Sequence, residues 1–109
     1  MKNYVFDIDG TICTLTDGDY TKARPLQSRI NKINHLYDSG ARIVFFTARG
    51  MGRNKNDRQK AEEQFYSLTE QQLNMWGVKY HLLFLGKPAG DLYIDDKAIL
   101  DKEFFINDE

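Results

Sequence analysis

The chain has 109 residues, with 15 lysine and arginine residues against 16 aspartate and glutamate residues. This length suits one domain that buries roughly 65% of the surface its unfolded chain exposes, and the net charge of -1 gives no reason to expect nucleic acid or an anionic membrane as a partner. The single cysteine, Cys13, excludes an internal disulfide and a cysteine-rich zinc site, and no stretch approaches the ~20 apolar residues of a membrane helix. We therefore expect a soluble, cytoplasmic protein with one domain over residues 1–109.

The first third of the chain predicts a strand, a loop and a helix. The strand comprises the apolar residues 4–6, and the polar stretch at residues 11–23 is interpreted as a small flap. An amphipathic helix follows, because apolar residues from Leu26 to Tyr37 repeat at steps of four, three and four. Gly40 is suited to end this helix.

The rest of the chain continues the alternation of strands and helices. Short apolar runs predict strands at residues 42–46, 81–85 and 92–94, and helical spacing predicts a long helix over residues 57–76. Between them, residues 50–56 form a loop that directly follows a strand. Strands alternating with helices of this length indicate parallel crossovers, and hence a three-layer α/β fold whose central parallel sheet is covered on both faces.

Chemically capable side chains follow each of the four predicted strands. Taken singly, each has a plain structural explanation, such as a helix cap or a solvated charge. The carboxyl ends of parallel strands meet at one edge of a sheet, which is where open α/β folds bind ligands, and this shared position favours a single site. Its residues are Asp7 and Asp9 after the first strand, Thr47 after the second, Lys87 after the third, and Asp95 with Asp96 after the fourth.

The acidic side chains of this group require a compensating charge. Two carboxylates ~5 Å apart repel by about 3 kcal/mol at an effective dielectric of about 20, so gathering Asp7, Asp95 and Asp96 is unfavourable without a cation. Oxygen ligands with neither a cysteine nor a histidine pair nearby favour Mg²⁺ over zinc or copper. Because Mg²⁺ often takes substrate phosphate as a further ligand, the pattern indicates phosphoryl chemistry.

Four segments of the sequence resemble the motifs of the haloacid dehalogenase (HAD) superfamily of phosphohydrolases. They are DIDGT at residues 7–11, VFFTARG at 44–50, GKP at 86–88 and YIDDKA at 93–98. The resemblance implies a Rossmann-like, HAD-like fold, and the short gaps between the motifs leave no room for a cap domain. Because a site without a cap is open, its walls are expected to come from the flap, the loops or a neighbouring subunit, and a homo-oligomer is therefore predicted.

The resemblance also implies the activity. It is that of a Mg²⁺-dependent phosphomonoesterase acting through an aspartyl-phosphate. The substrate would be a small phosphorylated metabolite, such as a sugar, polyol or amino-alcohol phosphate. The small capless members that this chain resembles often accompany enzymes of capsule or other surface-polysaccharide synthesis.

The resemblance assigns a role to each residue at the strand ends. Asp7 is implied as the nucleophile and a metal ligand, and Asp9 as the general acid and base, with its backbone carbonyl facing the metal. Thr47 and Lys87 are implied to bind and neutralise the phosphoryl group. Of the late acidic pair, Asp96 is favoured as the direct metal ligand and Asp95 as acting through a bound water, with the reverse assignment left open.

Several residues around these motifs are expected to contact the substrate. Substrate binding is assigned to Gly10, Thr11, Ala48 and Arg49, and backbone amides around Ile8, Asp9 and Ala48 are expected to complete the phosphate cradle. For Arg53, Lys55 and Arg58, a contact with an anionic part of the substrate and an ordinary solvated basic stretch both stay open, and Tyr20 and Arg24 near the end of the flap are further candidates.

Other functional classes fit the sequence less well. A receiver-like module that accepts phosphate also uses acids, a threonine and a lysine around Mg²⁺, but its paired acids come first, whereas here they come last. A polynucleotide 3′-end phosphatase would suit an open site, although the chain lacks a basic face studded with aromatic residues. A P-loop is excluded because Pro88 follows Lys87 where serine or threonine is needed.

Overall fold

The protein, described by a computed structural model over residues 1–108, is an α/β domain. In chain order the elements are strand β1 (Asn3–Phe6), a 3₁₀ turn (Tyr20–Lys22), helix α1 (Gln27–Asp38), strand β2 (Arg42–Thr47), helix α2 (Arg58–Met75), strand β3 (Leu82–Leu85) and helix α3 (Asp101–Phe104). No helix among these is long and apolar enough to cross a membrane.

The three strands form one parallel sheet in the order β1-β2-β3. Phe6 pairs with Phe45 across the first ladder, and Thr47 pairs with Leu85 across the second. The expected α/β class and the first three strands are confirmed. Because the strands are parallel and in register, Thr47 and the residues that follow β1 and β3 come to the same edge of the sheet.

The two long helices begin and end close to the predicted residues. The Asp57 side chain caps α2 by accepting a hydrogen bond from the Lys60 amide at 3.2 Å. After α1, Gly40 adopts a positive φ of 97°, a left-handed conformation that glycine takes without strain and that ends the helix. These ends depend on single local residues, which is why the sequence predicts them well.

The expected three-layer arrangement is wrong for the described residues, because the helices cover one face of the sheet. Phe45 and Leu83 of that face share one core with Ile33 of α1 and Leu73 of α2. On the other face Val5 is 65% exposed. The reason lies in the connections: two right-handed crossovers that both progress from β1 toward β3 must place their helices on the same side.

The predicted fourth strand, residues 92–94, is also wrong for the single chain. Residues 92–94 have no sheet partner among residues 1–108, and Ile94 is 94% exposed. The apolar pattern of these residues suits a strand, but a strand exists only when its backbone groups pair with a neighbour.

The flap at residues 11–23 packs against the body of the protein. Cys13 is fully buried and forms isolated bridges with Asp9 and with Pro25. On the other side, the Arg53 guanidinium donates a hydrogen bond to the Gly18 carbonyl at 2.5 Å. The flap and the loop at residues 50–56 therefore meet above the carboxyl ends of the strands.

Candidate active site at the strand ends

A cleft of about 300 Å³ opens at the carboxyl ends of β1, β2 and β3. Its lining combines the predicted residues after the three strands with residues of the flap and one tyrosine from the segment after β3. The lining residues are Asp7, Asp9, Leu15, Thr16, Asp17, Gly18, Tyr20, Thr47, Ala48, Arg49, Lys87 and Tyr93. The structure thus brings together the functional residues of the first three predicted strands in one concavity.

Asp7 lies between a cation and a hydroxyl group in this cleft. The Lys87 ammonium stands 3.7 Å from one carboxylate oxygen of Asp7, and the Thr11 hydroxyl donates to the other at 3.4 Å. Burial raises the pKa of Asp7 above its ordinary value of 3.8, and Lys87 and the Ile8 backbone amide oppose that rise. Asp7 is thus a partly desolvated carboxyl group whose charge is balanced by one lysine.

Asp9 is held by a two-pronged ion pair with Arg49. The Arg49 Nε donates to one carboxylate oxygen at 2.9 Å and its Nη2 donates to the other at 3.0 Å. The Arg49 side chain is completely buried, while that of Asp9 keeps 19% exposure. The fork fixes the orientation of the Asp9 carboxylate beside Asp7.

The remaining donors of Arg49 are also taken by protein atoms. Its Nη1 donates to the Thr69 hydroxyl at 3.2 Å and to the Gln72 side-chain carbonyl at 2.6 Å. Its Nη2 also approaches the Cys13 sulfur at 3.9 Å. A guanidinium has five N–H donors, and these contacts account for them. In this structure Arg49 positions Asp9, and the substrate contact predicted for it stays a prediction.

Thr47 and its neighbours shape the floor of the cleft. Thr47 is 1% exposed, its hydroxyl accepts a hydrogen bond from the Arg49 amide at 3.2 Å, and its carbonyl accepts one from the Lys87 amide at 3.2 Å. Ala48 contributes to the same lining. Thr47, the last residue of β2, thus connects Lys87 after β3 to Arg49, which holds Asp9.

The turn after β1 brings the DIDGT segment back over the site. Gly10 has a φ of 81°, and its amide donates to the Cys13 carbonyl at 2.9 Å. A β-carbon at Gly10 would lie 3.2 Å from a methyl group of Leu15. The turn therefore favours glycine for its backbone conformation, whereas the exposed Leu15 side chain could move to make room.

Residues of α2 and the flap complete the site, and the motifs do not point to all of them. Gln72 donates to the Tyr20 carbonyl at 2.7 Å, and the Tyr20 hydroxyl accepts from the Gly50 amide at 3.0 Å. Thr69 and Gln72 lie three residues apart on the buried face of α2. The sequence signal that could have pointed to this pair is the helical spacing that it shares with Ala61 and Phe65 of the predicted apolar face, because polar groups on a buried face need a partner.

The late acidic pair stands apart from the cleft lining. Asp95 and Asp96 are exposed, and the Asp95 carboxylate accepts a hydrogen bond from the Lys97 amide at 3.2 Å. That backbone hydrogen bond lowers the pKa of Asp95. In one chain the structure therefore does not gather the four carboxylates that the sequence assigns to a metal.

Two of the carboxylates predicted to hold Mg²⁺, those of Asp7 and Asp9, line the cleft. Within residues 1–108 no three acidic, histidine or cysteine side chains are close enough together to hold a metal ion. Asp7 and Asp9 lie at the cleft, but each already has a cation, Lys87 or Arg49, beside it. Mg²⁺ normally takes six oxygen ligands including waters, and the two available carboxylates are partly neutralised without it.

The other basic candidates have structural partners. Arg53 stacks over the rings of Tyr20 and Phe65 at 5.3 and 4.7 Å, whereas Arg58 pairs with Glu62 on the surface of α2 at 2.8 Å. Lys55 is exposed. Arg53 therefore joins the flap to the loop above the cleft, and for all three the question of a substrate contact stays open.

A second, larger concavity of about 500 Å³ lies beside β3 and is lined by Tyr37, Tyr66, Tyr80 and His81 among others. The His81 ring accepts a hydrogen bond from the Ile43 amide at 3.0 Å and stacks on Tyr37 at 4.6 Å. These contacts give His81 a structural role. The smaller cleft is the stronger candidate because the strand-end acids, the threonine and the lysine meet there.

Comparison with known proteins gives structural neighbours but no family. No protein-family model matches the chain, and no curated protein matches it significantly. A crystal structure of a target protein from Vibrio cholerae is similar with a TM-score of 0.88 and 29% identity, covering 95% of this chain and 87% of that one. A chain of the Pnkp1/Rnl/Hen1 complex is similar with a TM-score of 0.59 and 19% identity, covering 97% of this chain and 33% of that one. The second likeness concerns the fold alone.

Proposed function

We propose that the protein is a phosphomonoesterase of the HAD superfamily that acts on a small phosphorylated metabolite through an aspartyl-phosphate. The observation that carries the proposal is the approach of Lys87 to Asp7 at 3.7 Å in a cleft that Thr47 and Asp9 also line. These residues come from the ends of three strands, so their meeting depends on the tertiary fold. The HAD-like sequence motifs suggest the reaction, and the meeting of these side chains in one cleft supports it.

Asp7 is the nucleophile in this proposal. One of its carboxylate oxygens forms a bond to phosphorus while the bond from phosphorus to the alcohol oxygen breaks. Lys87 and the Thr47 hydroxyl offset the charge that accumulates on the phosphoryl oxygens. A water molecule then attacks phosphorus, the bond to Asp7 breaks, and inorganic phosphate leaves with the carboxylate restored.

Asp9 moves the protons in this sequence. It gives a proton to the departing alcohol and takes one from the attacking water, so no net proton is gained or lost by the enzyme over the two steps. The bidentate pair with Arg49 occupies both oxygens of Asp9. The role therefore requires the Asp9 carboxyl group to rotate away from Arg49 into the cleft when substrate is bound.

The cleft favours a small substrate over a polynucleotide. Its volume of about 300 Å³ lies at the lower end of the range for small-molecule sites. Its lining contains three acids, Asp7, Asp9 and Asp17, and only two basic residues, Lys87 and the occupied Arg49. A strand of nucleic acid needs a positively charged groove, and this lining does not offer one.

Mg²⁺ stays part of the proposal as a prediction from the motifs. When bound, it would supply charge neutralisation for the phosphoryl group. Asp7 and Asp9 are the predicted ligands that line the cleft, and Mg²⁺ commonly completes its coordination with waters and substrate phosphate.

The test is steady-state hydrolysis of a panel of phosphomonoesters. The panel contains p-nitrophenyl phosphate, sugar, polyol and amino-alcohol phosphates and a 3′-phosphorylated oligonucleotide, each assayed with Mg²⁺ and after chelation with EDTA. We expect many turnovers on small esters, loss with EDTA, and no measurable turnover for Asp7→Asn. The control is Asp38→Asn, a surface residue paired with Lys79. Full activity of Asp7→Asn would exclude Asp7 as the nucleophile, and preference for the oligonucleotide would favour an end phosphatase.

A further inference from the structure

The flap makes a tight turn where it lines the candidate cleft. Both central residues of this turn have a positive φ, 55° at Asp17 and 89° at Gly18, and the Asp19 amide donates to the Thr16 carbonyl at 3.2 Å. This is the pattern of a type I′ turn, in which Asp-Gly is one of the preferred pairs. Because the Arg53 guanidinium also donates to the Gly18 carbonyl at 2.5 Å, the turn is anchored to the neighbouring loop.

Asp17 brings a charge to the cleft lining that no basic residue of the lining offsets. Asp7 has the Lys87 ammonium beside it, and Asp9 is held by the Arg49 guanidinium. Asp17 lines the same cleft and is exposed, but its carboxylate makes neither a hydrogen bond nor an ion pair with any residue of the described range 1–108. The charge that the cleft leaves unpaired is therefore negative, and it lies on the flap.

The flap is the part of the cleft that meets the alcohol half of the substrate in the proposed reaction. Asp7 attacks phosphorus from the strand ends, and the leaving oxygen departs in line, on the opposite side of phosphorus. The alcohol half therefore extends away from the strand ends, toward the flap above them. The lining residues of the flap other than Asp17 are uncharged, and they are Leu15, Thr16, Gly18 and Tyr20. A bound phosphomonoester thus has Lys87 near its phosphate and an unpaired carboxylate near its other end.

We propose that Asp17 selects substrates whose alcohol half carries a protonated amine, so that the preferred substrate is the phosphate ester of a small amino alcohol. This inference rests on the proposed function and narrows the substrate class of the same cleft. An ammonium group gives the Asp17 carboxylate both hydrogen-bond donors and an opposite charge. An alkyl or hydroxyl group brings no charge, and a carboxylate at that end of the substrate is repelled, which gives the cleft its selectivity.

An aspartate at position 17 also suits the turn, and one substitution separates the two roles. Asn-Gly is preferred in type I′ turns as Asp-Gly is, so Asp17→Asn removes the charge and keeps the turn. The matched control is Asp19→Asn, which removes a negative charge from the same flap. Asp19 is not among the residues that line the cleft, and its carboxylate contacts the Thr21 hydroxyl and the Lys22 ammonium.

The first test compares two esters of nearly equal shape, with Mg²⁺ present. They are aminoethyl phosphate and propyl phosphate, in which a methyl group replaces the ammonium group. We expect the wild type to have a kcat/KM about tenfold higher for the amine, as a hydrogen bond to a charged group provides. Asp17→Asn should lose most of this preference, whereas Asp19→Asn should keep it. A wild type that hydrolyses both esters equally well, or an undiminished preference in Asp17→Asn, would overturn the proposal.

The second test measures binding and needs no turnover. Aminopropyl phosphonate and butyl phosphonate have the same shapes as the two esters, and their bond from phosphorus to carbon is not hydrolysed. Titration calorimetry should give a Kd about tenfold lower for the amine in the wild type and in Asp19→Asn, and nearly equal values in Asp17→Asn. Equal binding of the two phosphonates by the wild type, or binding of neither, would refute the role of Asp17. If the amine binds more tightly but no ester is hydrolysed, the phosphatase proposal fails and the recognition by Asp17 stands.

Discussion

Replacing Arg49 by methionine tests whether the ion pair with Asp9 stabilises the site. The Arg49 side chain is completely buried and Asp9 keeps 19% exposure. The substitution removes the only cation in contact with the Asp9 carboxylate among the described residues, and it removes the donors for Thr69 and Gln72. Breaking a buried pair by removing one partner costs about 3 to 5 kcal/mol. Because water reaches Asp9, we expect about 3 kcal/mol from the pair and up to about 1 kcal/mol from the orphaned acceptors on α2.

The assay is urea unfolding followed by far-UV circular dichroism. A loss of about 4 kcal/mol at a slope of about 2 kcal/mol per molar urea lowers the midpoint by about 2 M. The matched control is Arg58→Met, because Arg58 is 66% exposed and pairs with Glu62 one helical turn away. An exposed pair of that kind contributes about 0.3 to 0.5 kcal/mol.

Two further variants keep the test decisive if Arg49→Met fails to fold. Arg49→Lys retains the charge and loses the fork, so it should fall between wild type and Arg49→Met. The double variant Asp9→Asn/Arg49→Met removes the unpaired buried charge and should be more stable than Arg49→Met alone. An Arg49→Met midpoint within error of Arg58→Met would refute the stabilising role of the pair.

Two other predictions follow from the pKa shifts of Asp7 and Cys13. Burial raises the pKa of Asp7 above 3.8, so its ionisation lowers the free energy of unfolding as the pH rises through the folded-state pKa. Asp7→Asn should therefore have a higher melting temperature than the wild type at pH 7.5, and the difference should vanish at pH 3. Asp91→Asn, at an exposed position, should show no such change. Burial raises the pKa of the Cys13 thiol to about 12, so maleimide should label Cys13 in urea but not in the folded protein at pH 8; rapid labelling of the folded protein would contradict this burial.

The parts of the fold that the sequence predicted depend on short-range patterns. Helix α1 follows from apolar spacing and from Gly40, and the start of α2 follows from the cap at Asp57. The first three strands follow from their apolar runs, and their parallel pairing follows from the helices between them. Thr47 and Lys87 could be assigned to one cleft for the same reason, because parallel strands bring their ends to one edge.

The partners of individual side chains were beyond the reach of those patterns. Arg49 was expected beside the substrate because it follows Thr47 in a motif, but its guanidinium turns toward Asp9 and α2. The direction is set by the buried acceptors Thr69 and Gln72, which lie 20 and 23 residues farther along the chain. A side-chain rotamer that is determined by such distant partners cannot be predicted from the local sequence.

The sequence by itself determined which residues can form strands and helices and which chemistry the strand ends can carry. Only the tertiary structure decided that both long helices cover one face, that Arg49 holds Asp9, and that residues 92–94 lie outside the sheet. The physical reason is that strand pairing and side-chain contacts join residues far apart in the chain. An apolar run such as residues 92–94 favours a strand, but the strand forms only where another backbone edge is available to pair with it.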